Sequence, residues 1–307
     1  MADNGITGKV LGLACDGTGY GDDGSVWGCE LFLCDEVEYS RIGSLKSFPL
    51  PGGDKAAVDL WRPALSLLME AFGDDWLSYF KKLCSLNFGI PNESSDVVTS
   101  VSFIQSARFT AKRMLSESSK IVRTSSLGRL FDGVGFILGV CEKNHHEAET
   151  AMALESLALE ALAPEDLSIE GLTAKSSVLF PHINCDRLWK IIEENNFSVI
   201  DVSELIKTLV LQKLRGQDIR ELALLFHKAV AAMLTELLLE AVASTKVKRV
   251  VLSGGCFINS ILLNSVRDGL KKKQVNVYTH HQVSPGDGGL ALGQAFIASR
   301  RILRRGL

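Results

Sequence analysis

The sequence has no excess of basic charge, no long apolar run and no paired cysteine motif, and each absence removes a class of function. Its 33 Lys and Arg residues stand against 36 Asp and Glu, and the basic residues are scattered or confined to Lys271–Lys273 and Arg300–Arg305. A net charge of −3 distributed in this way offers no nucleic-acid surface. No apolar run approaches the ~18 to 20 residues of a membrane span. Met1-Ala2-Asp3-Asn4 leads from no basic stretch into an apolar one, so a cytoplasmic location is expected. The seven cysteines (Cys15, Cys29, Cys34, Cys84, Cys141, Cys185 and Cys256) are odd in number and widely spaced. They read as reduced core thiols rather than disulfides or zinc ligands. There is no repeat of fixed period and no low-complexity tract.

What is present is the material for a large core, 46% apolar residues in a chain of 307. Val10–Ala14 is an apolar run that stops at the glycine-studded loop Asp16-Gly-Thr-Gly-Tyr-Gly-Asp-Asp-Gly24, and a second run follows from Val26 to Leu33. This predicts a β-hairpin with a long open tip whose backbone N–H groups can approach a ligand. From Lys55 the period becomes helical, with Val58, Leu60, Trp61, Leu65, Leu67, Leu68 and Phe72 on one face. Helical patterns return at Leu127–Cys141, Glu147–Leu162, Glu204–Leu214 and Ile219–Ala243, while Pro164–Asp186 reads as irregular. The last third alternates again. A strand in Arg249–Ser253, a helix from Ile258 to Lys272, a strand Val275–Tyr278 and a closing helix Leu290–Arg301 predict an α/β layout with a parallel sheet.

Two glycine turns in that last third carry chemistry. Ser253-Gly254-Gly255 lies where a buried strand meets a helix start, so backbone donors and the positive end of the helix dipole converge there on a position suited to an anion or nucleotide. Asn259, one turn on, can donate and accept in the same pocket. A tight connection without a ligand is the alternative reading. Pro285-Gly286-Asp287-Gly288-Gly289 opens the closing helix, and Asp287 reads either as its N-cap or as a ligand group. Asp16 is a second carboxylate at a strand end beside glycines, and two such groups facing one cleft would suit a hard cation.

Five ordered stretches together resemble the C-terminal module of the HypF-type hydrogenase-maturation carbamoyltransferases. They are Cys15-Asp-Gly-Thr-Gly-Tyr-Gly-Asp-Asp-Gly-Ser-Val-Trp-Gly-Cys-Glu30, Phe48-Pro-Leu-Pro-Gly-Gly-Asp-Lys55, Ser125-Ser-Leu-Gly-Arg-Leu-Phe-Asp132, Ser253-Gly-Gly-Cys-Phe-Ile-Asn259 and Ser284-Pro-Gly-Asp-Gly-Gly-Leu-Ala-Leu-Gly-Gln294. The resemblance implies an actin-like ATPase (ribonuclease-H-like) two-lobed fold with the first lobe truncated. Residues 1–50 would be the remainder of that lobe, 51–245 a mainly helical middle and 246–307 a C-terminal α/β part. It implies that an upstream domain makes carbamoyl adenylate from carbamoyl phosphate and ATP. This module would then pass the carbamoyl group to the C-terminal cysteine thiol of a HypE-type partner, toward the cyanide ligands of nickel-iron hydrogenase. Matched residue by residue, Asp16 and Asp287 fall on the family's metal-binding carboxylates, the metal being iron, zinc or magnesium. Gly254, Gly255 and Asn259 fall on the part that holds the adenylate, and Asp132 on a stretch lining the nucleotide pocket, a helix-surface carboxylate being the alternative.

Two departures from the family pattern stand out. The family's His-His-x-Ala-His stretch, a source of further metal ligands, lies upstream of the segment matching Met1–Gly5, which implies a piece of a longer protein or a split gene. At Asn144-His-His-Glu-Ala-Glu-Thr150 the family has Tyr-Glu-Gly, and here His146 stands at the tyrosine position and Ala148 at the glycine. Adjacent histidines splay apart, so neither His145 with His146 nor His280 with His281 is expected to replace the missing ligands. Cys256 beside the pocket invites a covalent-carrier reading, which direct transfer to a partner thiol makes unnecessary. Two other functions compete with carbamoyl transfer to a protein thiol. One is transfer to a tRNA or small-molecule acceptor, the other nucleotide or partner binding by a fragment inactive alone.

Overall fold

The computed structural model describes residues 1–89, 98–117, 120–162 and 188–304. The first half contains β1 (Val10–Tyr20), β2 (Val26–Cys34), β3 (Tyr39–Leu45), β4 (Phe48–Pro49), α1 (Trp61–Phe72), α2 (Trp76–Phe88), α3 (Val98–Ser116), β5 (Arg123–Thr124), α4 (Leu127–Leu138) and α5 (Glu149–Glu160). The second contains β6 (Lys190–Glu194), β7 (Phe197–Asp201), α6 (Ser203–Leu214), α7 (Ile219–Thr245), β8 (Arg249–Ser253), α8 (Ser260–Lys272), β9 (Asn276–Tyr278) and α9 (Leu290–Arg304). The helices and strands read from periodicity are present, but the helical pattern read from Lys55 begins as an α-helix only at Trp61, after a 3-10 turn, so Val58 lies outside the helix and is exposed. The Pro164–Asp186 stretch and Cys185 lie outside the described residues.

The expected hairpin is β1 with β2, and β1 sits near the middle of one sheet in the order β6-β7-β3-β2-β1-β8-β9. Its far edge takes β8 in parallel, with Leu11 opposite Val250 and Ala14 opposite Ser253, and β8 takes β9 in parallel across the α8 crossover. The sheet is mixed, because β1 with β2 and β2 with β3 are antiparallel. Segments 1–50, 51–245 and 246–307 all contribute strands to it, so they meet in one sheet and one core. Val10, Leu11, Leu13 and Cys15 in the first half of β1 are fully buried, while Asp16, midway along the strand, is half-buried and Tyr20 at its end is exposed.

By length and composition α7 could cross a membrane, although charged residues interrupt every apolar run in it. It is apolar on nearly all sides, and 72% of its most apolar stretch is buried inside the protein. That is the signature of a core helix, whose fully buried Leu and Phe side chains each stabilise by about 1.5 to 3 kcal/mol. One polar group, His227, is carried into the core with them.

Candidate functional site

The β1 and β2 ladder runs in register as far as Cys15 opposite Cys29 and resumes at Gly19 opposite Trp27. Asp16, Gly17 and Thr18 therefore face Gly28 alone, a bulge that lifts Asp16 out of the ladder. Gly28 is required there: a β-carbon on it would lie 2.6 Å from the Asp16 carbonyl oxygen and 2.8 Å from the Ser126 Cα. The hairpin tip is tied down by Asp23, which accepts from the Ser25 N–H (2.9 Å), the Ser25 hydroxyl (2.6 Å) and the Trp27 indole (3.0 Å).

The second wall is the Ser253-Gly254-Gly255 turn at the end of β8. Gly254 has φ 100 and ψ 152, and its N–H donates to the Pro285 carbonyl at 2.9 Å. A β-carbon on Gly255 would stand 3.2 Å from Asp16 Oδ1, and one on Gly286 3.7 Å from the Gly255 Cα. The three glycine segments thus stack in the order bulge, β8 turn, Pro285–Asp287 turn. The structure brings Asp16, Gly254, Gly255 and the turn that carries the exposed Asp287 side by side, close enough for the Asp287 charge to act on Asp16. Asp287 is the first residue of a short 3-10 turn that leads into α9, with Gly286 at the N-cap of that turn.

Burial, chiefly, raises the Asp16 carboxyl above its ordinary value, and the charges of Asp287 and Glu147 push the same way. The Gly17 N–H, at 2.8 Å, and the Gly255 N–H oppose that rise. Two carboxylates share the cleft. Among the described residues no group of three or more His, Cys, Asp or Glu stands together as a metal site. A cation here would have two protein carboxylates and would need its remaining ligands from water, the bound ligand or other protein.

The third wall is the start of α4. Ser126 is its N-cap, accepting from the Arg129 N–H at 3.0 Å, while its hydroxyl reaches the Asp16 carbonyl (2.9 Å) and the Gly17 carbonyl (2.7 Å). Gly128 lets the helix touch the bulge, since a β-carbon there would meet the Gly17 Cα at 2.7 Å. Asp132 is 2% exposed, which rules out the helix-surface alternative. Its Oδ2 pairs with Arg129 Nη2 at 3.0 Å and its Oδ1 accepts from Asn144 Nδ2 at 2.9 Å. Burial pushes its carboxyl up to about 6, with Arg129 and then Asn144 pulling the other way. Asn144 in turn accepts from the Thr150 N–H and hydroxyl, which fixes the 144–150 loop against α4. Within that loop Ala148 adopts a left-handed conformation, φ 58 and ψ 14, at the position where the family pattern has glycine.

Asn259 is buried and heavily engaged. Its Oδ1 accepts from the Leu262 N–H at 2.9 Å, capping α8, and its Nδ2 donates to His227 Nε2 at 3.0 Å. The other His227 ring nitrogen donates to the Ala223 carbonyl at 2.8 Å, and burial pushes this imidazole down to about 4, so it is neutral. Periodicity gave no hint of His227, which lies in an otherwise apolar helix. The glycine motifs likewise hid Arg129 and Asn144 in plain view. The thiols of Cys15 and Cys29 lie 3.9 Å apart behind the bulge. Burial raises the Cys256 thiol far above its ordinary range, which holds it protonated and unsuited to carry an acyl group.

Comparison with known proteins decides the family. Residues 12–294 match the family model described as carbamoyltransferase, Kae1-like domain, second subdomain. The chain belongs to this family. A carbamoyltransferase HypF homolog of Cupriavidus necator is 34% identical over 303 residues, covering 98% of this chain and 68% of that protein. Carbamoyltransferase HypF2 of the same organism is 30% identical, with 98% of this chain and 35% of that protein covered. Among solved structures, full-length HypF in the phosphate- and nucleotide-bound form superposes with a TM-score of 0.75 at 30% identity, over 97% of this chain and 34% of that one. HypF of T. kodakarensis gives 0.71 at 27%, over 94% and 33%. The chain therefore spans about a third of HypF2 and of both solved HypF chains, and its fold is the actin-like, Kae1-like fold of the HypF family.

Proposed function

We propose that this chain is a HypF-type carbamoyl-transfer module that takes carbamoyl adenylate and delivers the carbamoyl group to the C-terminal cysteine thiol of a HypE-type partner in the cytoplasm. That step leads toward the cyanide ligands of nickel-iron hydrogenase. The observation that carries the reading is the meeting of the three glycine segments at Asp16, in a chain that matches the HypF family almost end to end. In the reaction the thiolate sulfur attacks the carbamoyl carbon, the bond from that carbon to the phosphate oxygen breaks, AMP leaves with the electron pair, and the thiol proton passes to solvent. No covalent protein intermediate is required.

Gly254 and Gly255 bring backbone close to the adenylate, and Asn259 fixes the start of α8 beneath it. Asp132, held by Arg129 and Asn144, shapes the α4 side of the nucleotide pocket. Asp16 and Asp287 would supply two carboxylates to a divalent cation. Such a cation, when bound, neutralises phosphate charge and polarises the carbamoyl carbonyl. Transfer to a tRNA is the weaker reading, because the sequence is acidic overall and its basic residues are scattered or confined to two short runs.

The test supplies carbamoyl adenylate from a full-length HypF relative disabled in its own transfer module, together with this chain and a peptide ending in cysteine. Mass spectrometry should find one carbamoyl group on the cysteine sulfur. Unmodified peptide, in the presence of adenylate that an active full-length relative does transfer, would leave the chain as a nucleotide- or partner-binding fragment.

A further inference from the structure

The ion pair behind the bulge is only half used. Arg129 meets Asp132 through Nη2, while its Nε and Nη1 are buried and have no hydrogen-bond partner. A guanidinium offers five donors in a rigid fork, and burying it with so few of them satisfied is costly. Its side chain is 12% exposed. Of the three nitrogens, Nη2 is absent from the buried, unpartnered set, and it is also the one beside the bulge: a β-carbon on Gly17 would stand 3.4 Å from it. Its charge also reaches Cys256 in the turn that follows Gly255. The guanidinium therefore sits between the first glycine segment and the second, held in place by a single carboxylate.

We infer that Arg129 is the phosphate-binding group of the cleft, its fork turning from Asp132 onto the phosphoryl oxygens of a nucleotide ligand. This rests on the reading that the cleft holds an adenylate, and it assigns the recognition of that ligand's charge to one side chain. The planar fork suits a phosphate better than an ammonium does, because two parallel N–H bonds fix orientation as well as charge. Gly17 is the part of the bulge nearest that guanidinium, since a β-carbon there would come into van der Waals contact with Nη2 at 3.4 Å. Asp132 is the carboxylate that holds the guanidinium in the wall.

Calorimetric titration of the whole chain with AMP, adenosine and inorganic phosphate, in wild type, Arg129→Lys and Arg129→Met, tests the assignment. Charged hydrogen bonds of this kind make AMP binding about ten- to a hundred-fold weaker in Arg129→Met. Adenosine affinity should stay unchanged, and phosphate should cease to compete with AMP. Arg129→Lys should recover part of the loss and keeps the test open if the methionine variant unfolds. Equal weakening of AMP and adenosine, or no change in AMP, would assign Arg129 to the scaffold alone. A wild-type chain that binds AMP no tighter than adenosine overturns the inference as well. Arg129-dependent AMP binding without carbamoyl transfer would keep this site and remove the transfer reading, so the two can fail separately.

Discussion

Replacing Gly254 by alanine should separate a glycine needed for fold and site from one that is only convenient. The backbone at Gly254 has φ 100 and ψ 152, a region that essentially only glycine occupies, and forcing a side chain into it costs about 1 to 3 kcal/mol. The added β-carbon would also lie 2.6 Å from the carbonyl carbon and 2.7 Å from the nitrogen of Cys15. Those atoms belong to a central strand and cannot give way as a flexible side chain would, so overpacking adds about another 1 to 3 kcal/mol. The sum, about 2 to 6 kcal/mol, is a large part of the roughly 5 to 15 kcal/mol that holds a domain folded. Gly24 is the control: it too has a left-handed backbone, φ 76, but a β-carbon there meets nothing within 4 Å. Gly24→Ala should lose only the conformational term, about 1 to 2 kcal/mol. Urea unfolding followed by far-ultraviolet circular dichroism reads both midpoints, and folded Gly254→Ala should in addition lose AMP binding. Equal midpoints for the two variants would refute the packing of the β8 turn against Cys15, and with it the cleft.

Ala148→Gly should stabilise the chain by about 0.5 to 1 kcal/mol, because the left-handed strain of alanine is relieved by more than the entropy glycine adds to the unfolded state; a higher urea midpoint at unchanged slope checks it. His227 is held near 4 when folded against about 6.5 when unfolded, so the unfolded chain binds the extra proton between those values and stability falls as pH drops through that window. The loss is on the order of 3 kcal/mol, and denaturant titrations from pH 7 to 4 should show a shallower decline in His227→Gln. Asp132, raised to about 6, works in the opposite sense, adding stability as pH falls from 6 toward 4, so Asp132→Asn should steepen the acid decline. Asp287→Asn removes a charge that faces Asp16 and should lower the Asp16 carboxyl, read by carbon NMR, while abolishing carbamoyl transfer in a full-length enzyme that carries the same change.

Much of this fold was legible because periodicity and glycine punctuation agree with the tertiary structure. The β1 and β2 hairpin, the β8 turn and the helices from α4 to α8 all follow strong local signals. The β6 and β7 hairpin did not announce itself, although Asn195 and Asn196 both take positive φ, the geometry of a tight two-residue turn. Its strand Lys190-Ile-Ile-Glu-Glu194 is an exposed sheet edge, so the apolar alternation that marks a half-buried strand is weak there. The two-residue strands β4 and β5 carry too few residues for any period to show. A run count also understated α7, where short polar or charged interruptions, such as Arg220-Glu221 and His227-Lys228, break a helix that is apolar by composition.

The site shows the same division at finer grain. Glycines and carboxylates at turns can be read from sequence because their roles are local: a bulge, a helix start, a close backbone approach. The residues that hold those turns in place are not local. Asn259 lies where a cap residue is expected, yet its orientation is set by His227, 32 positions earlier on a helix whose pattern says only core. Asp132 lies in a recognisable motif, yet its partner Asn144 sits in the loop where the family pattern is broken. A neutral imidazole that accepts from Asn259 Nδ2 leaves Oδ1 as the only atom able to cap α8, so the amide cannot flip without losing two hydrogen bonds at once. The second glycine wall therefore owes its rigidity to a side chain in the core beneath it, and substitutions at His227 should disturb the cleft without touching any residue that lines it.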